Sequence, residues 1–221
     1  MALIELNEIS FGYPNCGLVL SDLNMRVQKG DRIALLGGNG AGKTTLFHII
    51  LGLIRPFSGS ISLFGKRCIE ENDFHEPRKL IGLLFQDPDD QLFCPSVIED
   101  VSFGPLNLGM NRDDALKRSR RCLERLGIRH LEKRVPYELS GGEKKLVALA
   151  SVLAMKPRIL LLDEPMAGLE NRAVDRFLSV VAEEDLDAMV IITHLPNLIK
   201  DHVNKTLVME DGSLKEQTSV C

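Results

Sequence analysis

The chain has 221 residues, 44% of them hydrophobic and 26% charged, with a formal net charge of -4. Such a composition fits one ordinary globular domain with enough apolar mass for a core, and it argues against a disordered tail, a fibrous repeat or a protein built around membrane spans. The acidic balance lacks the concentrated basic face that a nucleic-acid backbone requires, so nucleic acid is not an expected partner.

In chain order, apolar alternation over residues 3–11 and again over 23–27 predicts strands, and 32–36 predicts a buried strand running into glycines. A helix is expected over 44–53. Short β-prone runs return from about 61 to 85, after which 96–131 is charge-rich and helix-forming, most clearly at 112–126. That change of character predicts an inserted helical lobe. Beyond Ser140 the order is helix, apolar strand at 159–162, helix, apolar strand at 189–193, as in parallel strands joined by crossover helices. Residues 207–210 and 213–216, around Asp211-Gly212, read as a hairpin. The expected fold class is therefore α/β.

Five cysteines, Cys16, Cys68, Cys94, Cys122 and Cys221, are odd in number and form no Cys-x-x-Cys pair. They predict reduced thiols, with neither a disulfide framework nor a zinc site. The amino terminus alternates polar and apolar residues and shows no basic leader with an apolar run, and no apolar stretch is long enough to cross a bilayer. Work at a membrane would need other subunits to hold the chain there.

The strongest chemical signal is Gly37-Gly38-Asn39-Gly40-Ala41-Gly42-Lys43-Thr44, a phosphate-binding loop pattern between a predicted strand and a predicted helix, with Thr45 next in line. Glycines let the backbone curl its amides toward phosphate oxygens, and the following helix adds the positive end of its dipole. Lys43 would reach the β- and γ-phosphates of ATP, and the Thr44 hydroxyl would ligate Mg2+. A second element, Ile159-Leu160-Leu161-Leu162-Asp163-Glu164, is a buried strand that delivers two carboxylates at its end. Asp163 suits magnesium, and Glu164 suits a base for the attacking water.

Leu139-Ser140-Gly141-Gly142-Glu143, ahead of a helix pattern over 144–154, adds a third element. With the other two it resembles the signature motif of ABC ATPases. That resemblance spans nearly the whole chain. It implies one ATPase domain over 1–221, a P-loop NTPase core with an antiparallel β subdomain and an α-helical subdomain at about 90–155. It also implies that Ser140, Gly141 and Gly142 bind the γ-phosphate held by a partner subunit. Tyr13 matches the aromatic that stacks on adenine, Gln86 the glutamine that touches magnesium and the attacking water, and His194 the switch histidine. His48, His75, His130 and His202 match no motif.

The strings Leu84-Phe85-Gln86-Asp87-Pro88-Asp89-Asp90-Gln91-Leu92-Phe93 and Leu153-Ala154-Met155-Lys156-Pro157 look like the ATPases of energy-coupling factor importers, including those for cobalt and nickel. The resemblance implies a peripheral subunit at the cytoplasmic face of the cell membrane, joined to a membrane-embedded coupling subunit and a substrate-binding membrane subunit. It also implies a homodimer, or a heterodimer with a second ABC ATPase, packed head to tail about a two-fold axis. Three residues depart from the pattern: Glu143 stands for the usual glutamine, Glu170 for an aspartate, and Gly38 where proline is common. Other readings are an importer of a vitamin such as biotin, a soluble ABC ATPase of a non-transport process, a P-loop kinase that leaves Ser140 without a role, and a scaffold with an idle acid pair.

Overall fold

The structure is a computed structural model that describes residues 2–14 and 17–217. Cys16 and Cys221 lie outside the described residues; Cys68, Cys94 and Cys122 are free thiols. In chain order the elements are β1 (Ala2–Tyr13), β2 (Gly17–Gln28), β3 (Arg32–Gly37), α1 (Lys43–Ile50), β4 (Ser58–Leu63), β5 (Lys66–Cys68), α2 (Glu71–Arg78), β6 (Ile81–Leu84), α3 (Val97–Asn107), α4 (Arg112–Arg125), α5 (Gly141–Ala154), β7 (Ile159–Asp163), α6 (Asn171–Ala182), β8 (Ala188–Ile192), α7 (Pro196–Ile199), β9 (Lys205–Glu210) and β10 (Ser213–Gln217). One sheet has the order β2-β1-β4-β5 and the other β10-β9-β3-β8-β7-β6. Among the described residues, no helix is long and apolar enough to cross a membrane.

The chain divides into two compact units, one formed by Met1–Ile81, Ile159–Leu161 and Leu186–Cys221, the other by Gly82–Arg158 and Leu162–Asp185. In the first, β1 pairs antiparallel with β2 and β4. Its alternation puts Ile4 and Leu6 in the core, and the register shift after Leu6 brings Ile9 there as well. Strand β1 matches its predicted segment to within two residues, while β2 starts six residues earlier than predicted, because the pairing tolerates register shifts between Leu6 and Ile9 and between Ile9 and Phe11. Glu8 and Asp22 adopt positive φ of 53° and 44° there, which breaks the period-two pattern by which strands are recognised in sequence. Strand β3, with Ile33, Ala34 and Leu35 buried, pairs in parallel with β8 on one side and β9 on the other. The β9–β10 turn is Asp211-Gly212, both with positive φ, as a two-residue hairpin requires.

Two expectations need correction here. Helix α1 ends at Ile50 rather than at 53, because Gly52 turns left-handed at φ 66° and Arg78 donates to the carbonyls of Leu51 (2.8 Å) and Gly52 (3.1 Å), closing the helix end. And α2 lies inside the stretch expected to be β-prone. Its capping box joins Glu70 to Asp73, yet it buries only Phe74 and Pro77, so it has too narrow an apolar stripe to announce itself by periodicity.

In the second unit α3, α4 and α5 pack around Val97, Val101, Ala115, Leu123, Val147 and Leu149, all fully buried. Gly104 of α3 is small for a reason: a Cβ there would stand 2.6 Å from Met155 Cγ. Arg125 at the end of α4 pairs with Glu184 and, at 3.1 Å, with Glu183 beyond α6.

Candidate functional site

The phosphate-loop half lies in the first unit. Strand β3 delivers the chain into the loop, and three of its glycines have positive φ: Gly37 at 148°, Gly40 at 75° and Gly42 at 100°. Their surroundings differ. A Cβ at Gly37 would stand 2.6 Å from the Met209 carbonyl, one at Gly42 2.8 Å from Leu20 Cδ2 and 2.9 Å from Val19 Cγ1, and one at Gly40 would meet nothing within 4 Å. Gly38 has open space and no left-handed φ, so the backbone imposes no glycine there.

Gly42 caps α1 with its backbone alone, leaving the first-turn amides of the helix without intrahelical acceptors and facing outward along the dipole. Lys43, 7% exposed, folds back so that its ammonium donates to the carbonyls of Gly37 and Gly38, both at 2.8 Å. The cation is thereby held at the loop it is expected to serve. Tyr13, at the end of β1, lies 3.2 Å from Thr45 Oγ1 through its hydroxyl and stacks edge-on against Phe11 at 5.0 Å. Its ring remains 42% exposed, as a stacking platform must. Asn39 is exposed within the loop, Ala41 and Thr44 are half-buried, and His194 is exposed just beyond β8.

The carboxylate half lies in the second unit. All five residues of β7 are buried, and Asp163 at its end is 3% exposed. Glu164 follows at φ 44°, a left-handed conformation that L side chains seldom adopt. A residue that the sequence reading missed acts on this peptide: Lys145 of α5, 9% exposed, donates to the Glu164 carbonyl at 2.9 Å. Burial lowers the Lys145 pKa, while Glu164, Asp87 and Asp163 pull it back up. Its one sequence signal is a lysine on the face of α5 that otherwise carries Leu149, Val152 and Leu153.

Ser140 is the N-cap of α5 in a full capping box. Its hydroxyl accepts from the Glu143 amide at 3.3 Å and donates to Glu143 Oε2 at 2.7 Å, and the Ser140 amide donates to the same oxygen at 2.9 Å. Those hydrogen bonds, first of all the one from the hydroxyl, hold the Glu143 carboxyl below its usual range. Gly141 and Gly142 form the first turn of α5, and a Cβ at either would meet nothing closer than 3.5 Å. Gln86 is exposed after β6. In the acidic segment, Asp87 accepts from the Asp89 amide at 2.9 Å, and Asp89 pairs with Lys144 at 2.6 Å. Glu170 sits at the N-cap of α6 with no side-chain hydrogen bond to the helix.

The metal donors expected from the sequence are a hydroxyl (Thr44) in the first unit and, in the second, a carboxylate (Asp163) and an amide oxygen (Gln86). Hard oxygens with one carboxylate suit Mg2+, which keeps waters and takes its remaining ligands from substrate phosphates. Among the described residues no cluster of three or more His, Cys, Asp or Glu side chains offers a dedicated cage for another metal.

A family model described as ABC transporter matches residues 20–167. A putative ABC transporter ATP-binding protein of Brucella suis is 46% identical over 89% of this chain and 81% of its own length. The energy-coupling factor transporter ATP-binding protein EcfA of Methanocaldococcus jannaschii is 42% identical over 99% of this chain and 80% of its own length. Among solved structures, cbiO1 from Clostridium perfringens, described as part of the ABC transporter complex cbiONQ, is 37% identical. It superposes with a TM-score of 0.83 over 97% of this chain and 87% of that one.

Proposed function

The chain belongs to the ABC transporter family, whose ATP-binding subunits hydrolyse ATP to power transport, and from that premise we propose that it drives a membrane importer of the energy-coupling factor type, with cobalt or nickel as cargo. The observation that carries the reading is likeness over almost the whole chain, at 42% identity, to a protein named as an energy-coupling factor ATPase. The segment from Leu84 to Phe93 supports the same branch. Import of a vitamin, or ATP hydrolysis outside transport, are the alternatives.

In this reading Tyr13 stacks on adenine, and Gly37 to Thr45 wrap the phosphates with backbone amides. Lys43 exchanges carbonyl partners for phosphate oxygens and so offsets their charge. Thr44, Asp163 and Gln86 would hold Mg2+, which when bound would supply positive charge against the phosphates. Glu164 accepts the proton of the attacking water, oriented by the peptide that Lys145 grips, and His194 contacts the γ-phosphate. Ser140, Gly141 and Gly142 close on the nucleotide of a second ATPase subunit, so that ATP joins the two chains and hydrolysis releases them. Membrane-embedded coupling and substrate-binding subunits hold the pair at the cytoplasmic face of the cell membrane.

Tagged protein purified from detergent-solubilised native membranes is expected to bring down a membrane coupling subunit and a small substrate-binding subunit, with cobalt or nickel found by elemental analysis. Recovery of soluble partners alone overturns the importer assignment. Glu164→Gln should bind ATP and accumulate as a dimer without turnover; near-normal phosphate release would remove Glu164 as the base.

A further inference from the structure

We infer that Glu143 is a positioning residue that withholds the Ser140 hydroxyl proton from the γ-phosphate and thereby weakens this chain's grip on ATP. The inference rests on the phosphate-binding role proposed above for Ser140.

A hydroxyl has one proton to give. In this chain it is given to Glu143 Oε2 at 2.7 Å, while the Glu143 amide occupies an oxygen lone pair at 3.3 Å. What Ser140 presents outward is therefore acceptor capacity, and phosphate oxygens are acceptors too. To donate to a phosphate, the hydroxyl must break a bond to an ionised carboxylate, and such charge-assisted bonds are roughly twice as strong as neutral ones.

The carboxylate is well anchored, since Oε2 also receives the Ser140 amide at 2.9 Å and the box closes the amino end of a 14-residue helix. Its negative charge also sits in the same first turn as the Gly141 and Gly142 amides expected to meet the phosphate, and like charges at close range repel. His130 and Arg134 lie near enough to favour its ionised form. Glutamine at this position would keep the box, because its amide oxygen can take the place of Oε2 and accept from both Ser140 groups. It would compete less strongly for the hydroxyl proton and carry no charge. Glu143 thus sets a lower affinity without losing the cap, a sensible arrangement for a subunit that must reopen after each turnover.

The test is a double-mutant cycle on the full-length protein, comparing wild type, Glu143→Gln, Ser140→Ala and the double variant. Steady-state hydrolysis of Mg-ATP gives kcat and KM, ADP inhibition gives Ki, and thermal melting monitors the cap. Glu143→Gln is expected to raise kcat/KM for ATP about tenfold, the scale of one hydrogen bond to a charged group. The gain should appear mainly in KM, leave the ADP Ki unchanged, and vanish in the Ser140→Ala background. A Glu143→Gln variant at or below wild type, or a gain that persists undiminished without the Ser140 hydroxyl, overturns the inference. Should Ser140→Ala itself match wild type, the proposed role of Ser140 falls instead.

Discussion

Three of the four loop glycines, Gly38, Gly40 and Gly42, make a graded test of how the phosphate loop is built, each replaced singly by alanine. At Gly42 two costs combine. Its φ of 100° is a conformation that L side chains avoid, worth about 1–2 kcal/mol. The new Cβ would also press on Leu20 Cδ2 at 2.8 Å and Val19 Cγ1 at 2.9 Å, an overpacking worth about 1–3 kcal/mol. Together they predict a loss of about 2–5 kcal/mol, which for a chain of this size lowers Tm by roughly 4–20 °C. At Gly40 the φ of 75° remains but the space is open, so the loss should be about 1–2 kcal/mol. Gly38 has neither constraint, and its replacement should change stability by less than about 1 kcal/mol in either direction. Urea and thermal melts followed by circular dichroism give the order, and a fluorescent ATP analogue reports whether binding follows it. Equal melting temperatures for Gly42→Ala and wild type, or Gly38→Ala as the most damaging change, would refute this account.

Lys145→Met should lower kcat at least tenfold with little change in KM, since it removes the grip on the Glu164 peptide and a cation beside three carboxylates, and Lys145→Arg should recover part of the loss; an unchanged kcat would show that the contact is structural. Glu170→Asp should stabilise the protein by about 0.5–1 kcal/mol in urea melts, because aspartate reaches the first-turn amides of α6 that glutamate leaves uncapped. Glu143 has a folded pKa below its ordinary value of 4.5, so the stability it contributes is complete above that value and is lost as pH falls through the lowered pKa. Wild type should therefore lose more stability than Glu143→Gln on acidification from about pH 5 to pH 3, as read from urea midpoints.

What could be read in the sequence was whatever leaves a period or a string. The buried strands at Arg32, Ile159 and Ala188 are short continuous apolar runs, and the hairpin announces itself through Asp211-Gly212. The glycine-rich loop and the acid-ended strand were legible because their chemistry demands those residues in order. Helix α2 was not, since it buries only Phe74 and Pro77 and so leaves no apolar period, and since Arg78 reaching back to Leu51 and Gly52 is a contact with another part of the chain that only the fold reveals. Lys145 was missed for a similar reason. A lysine on a helix reads as solvated, and only the tertiary fold reveals that its ammonium is spent on a carbonyl 19 residues further on.

The wall behind the phosphate loop comes from the far end of the chain. Gly37 is registered against Met209, and the Gly212 carbonyl accepts from the Ser21 amide at 3.0 Å, in the strand that also confines Gly42. A ribosome that has made the loop and its helix has therefore not yet made the strand that backs Gly37, because β9 is still to come. The backing of the loop is thus a contact of high sequence separation, formed late in synthesis.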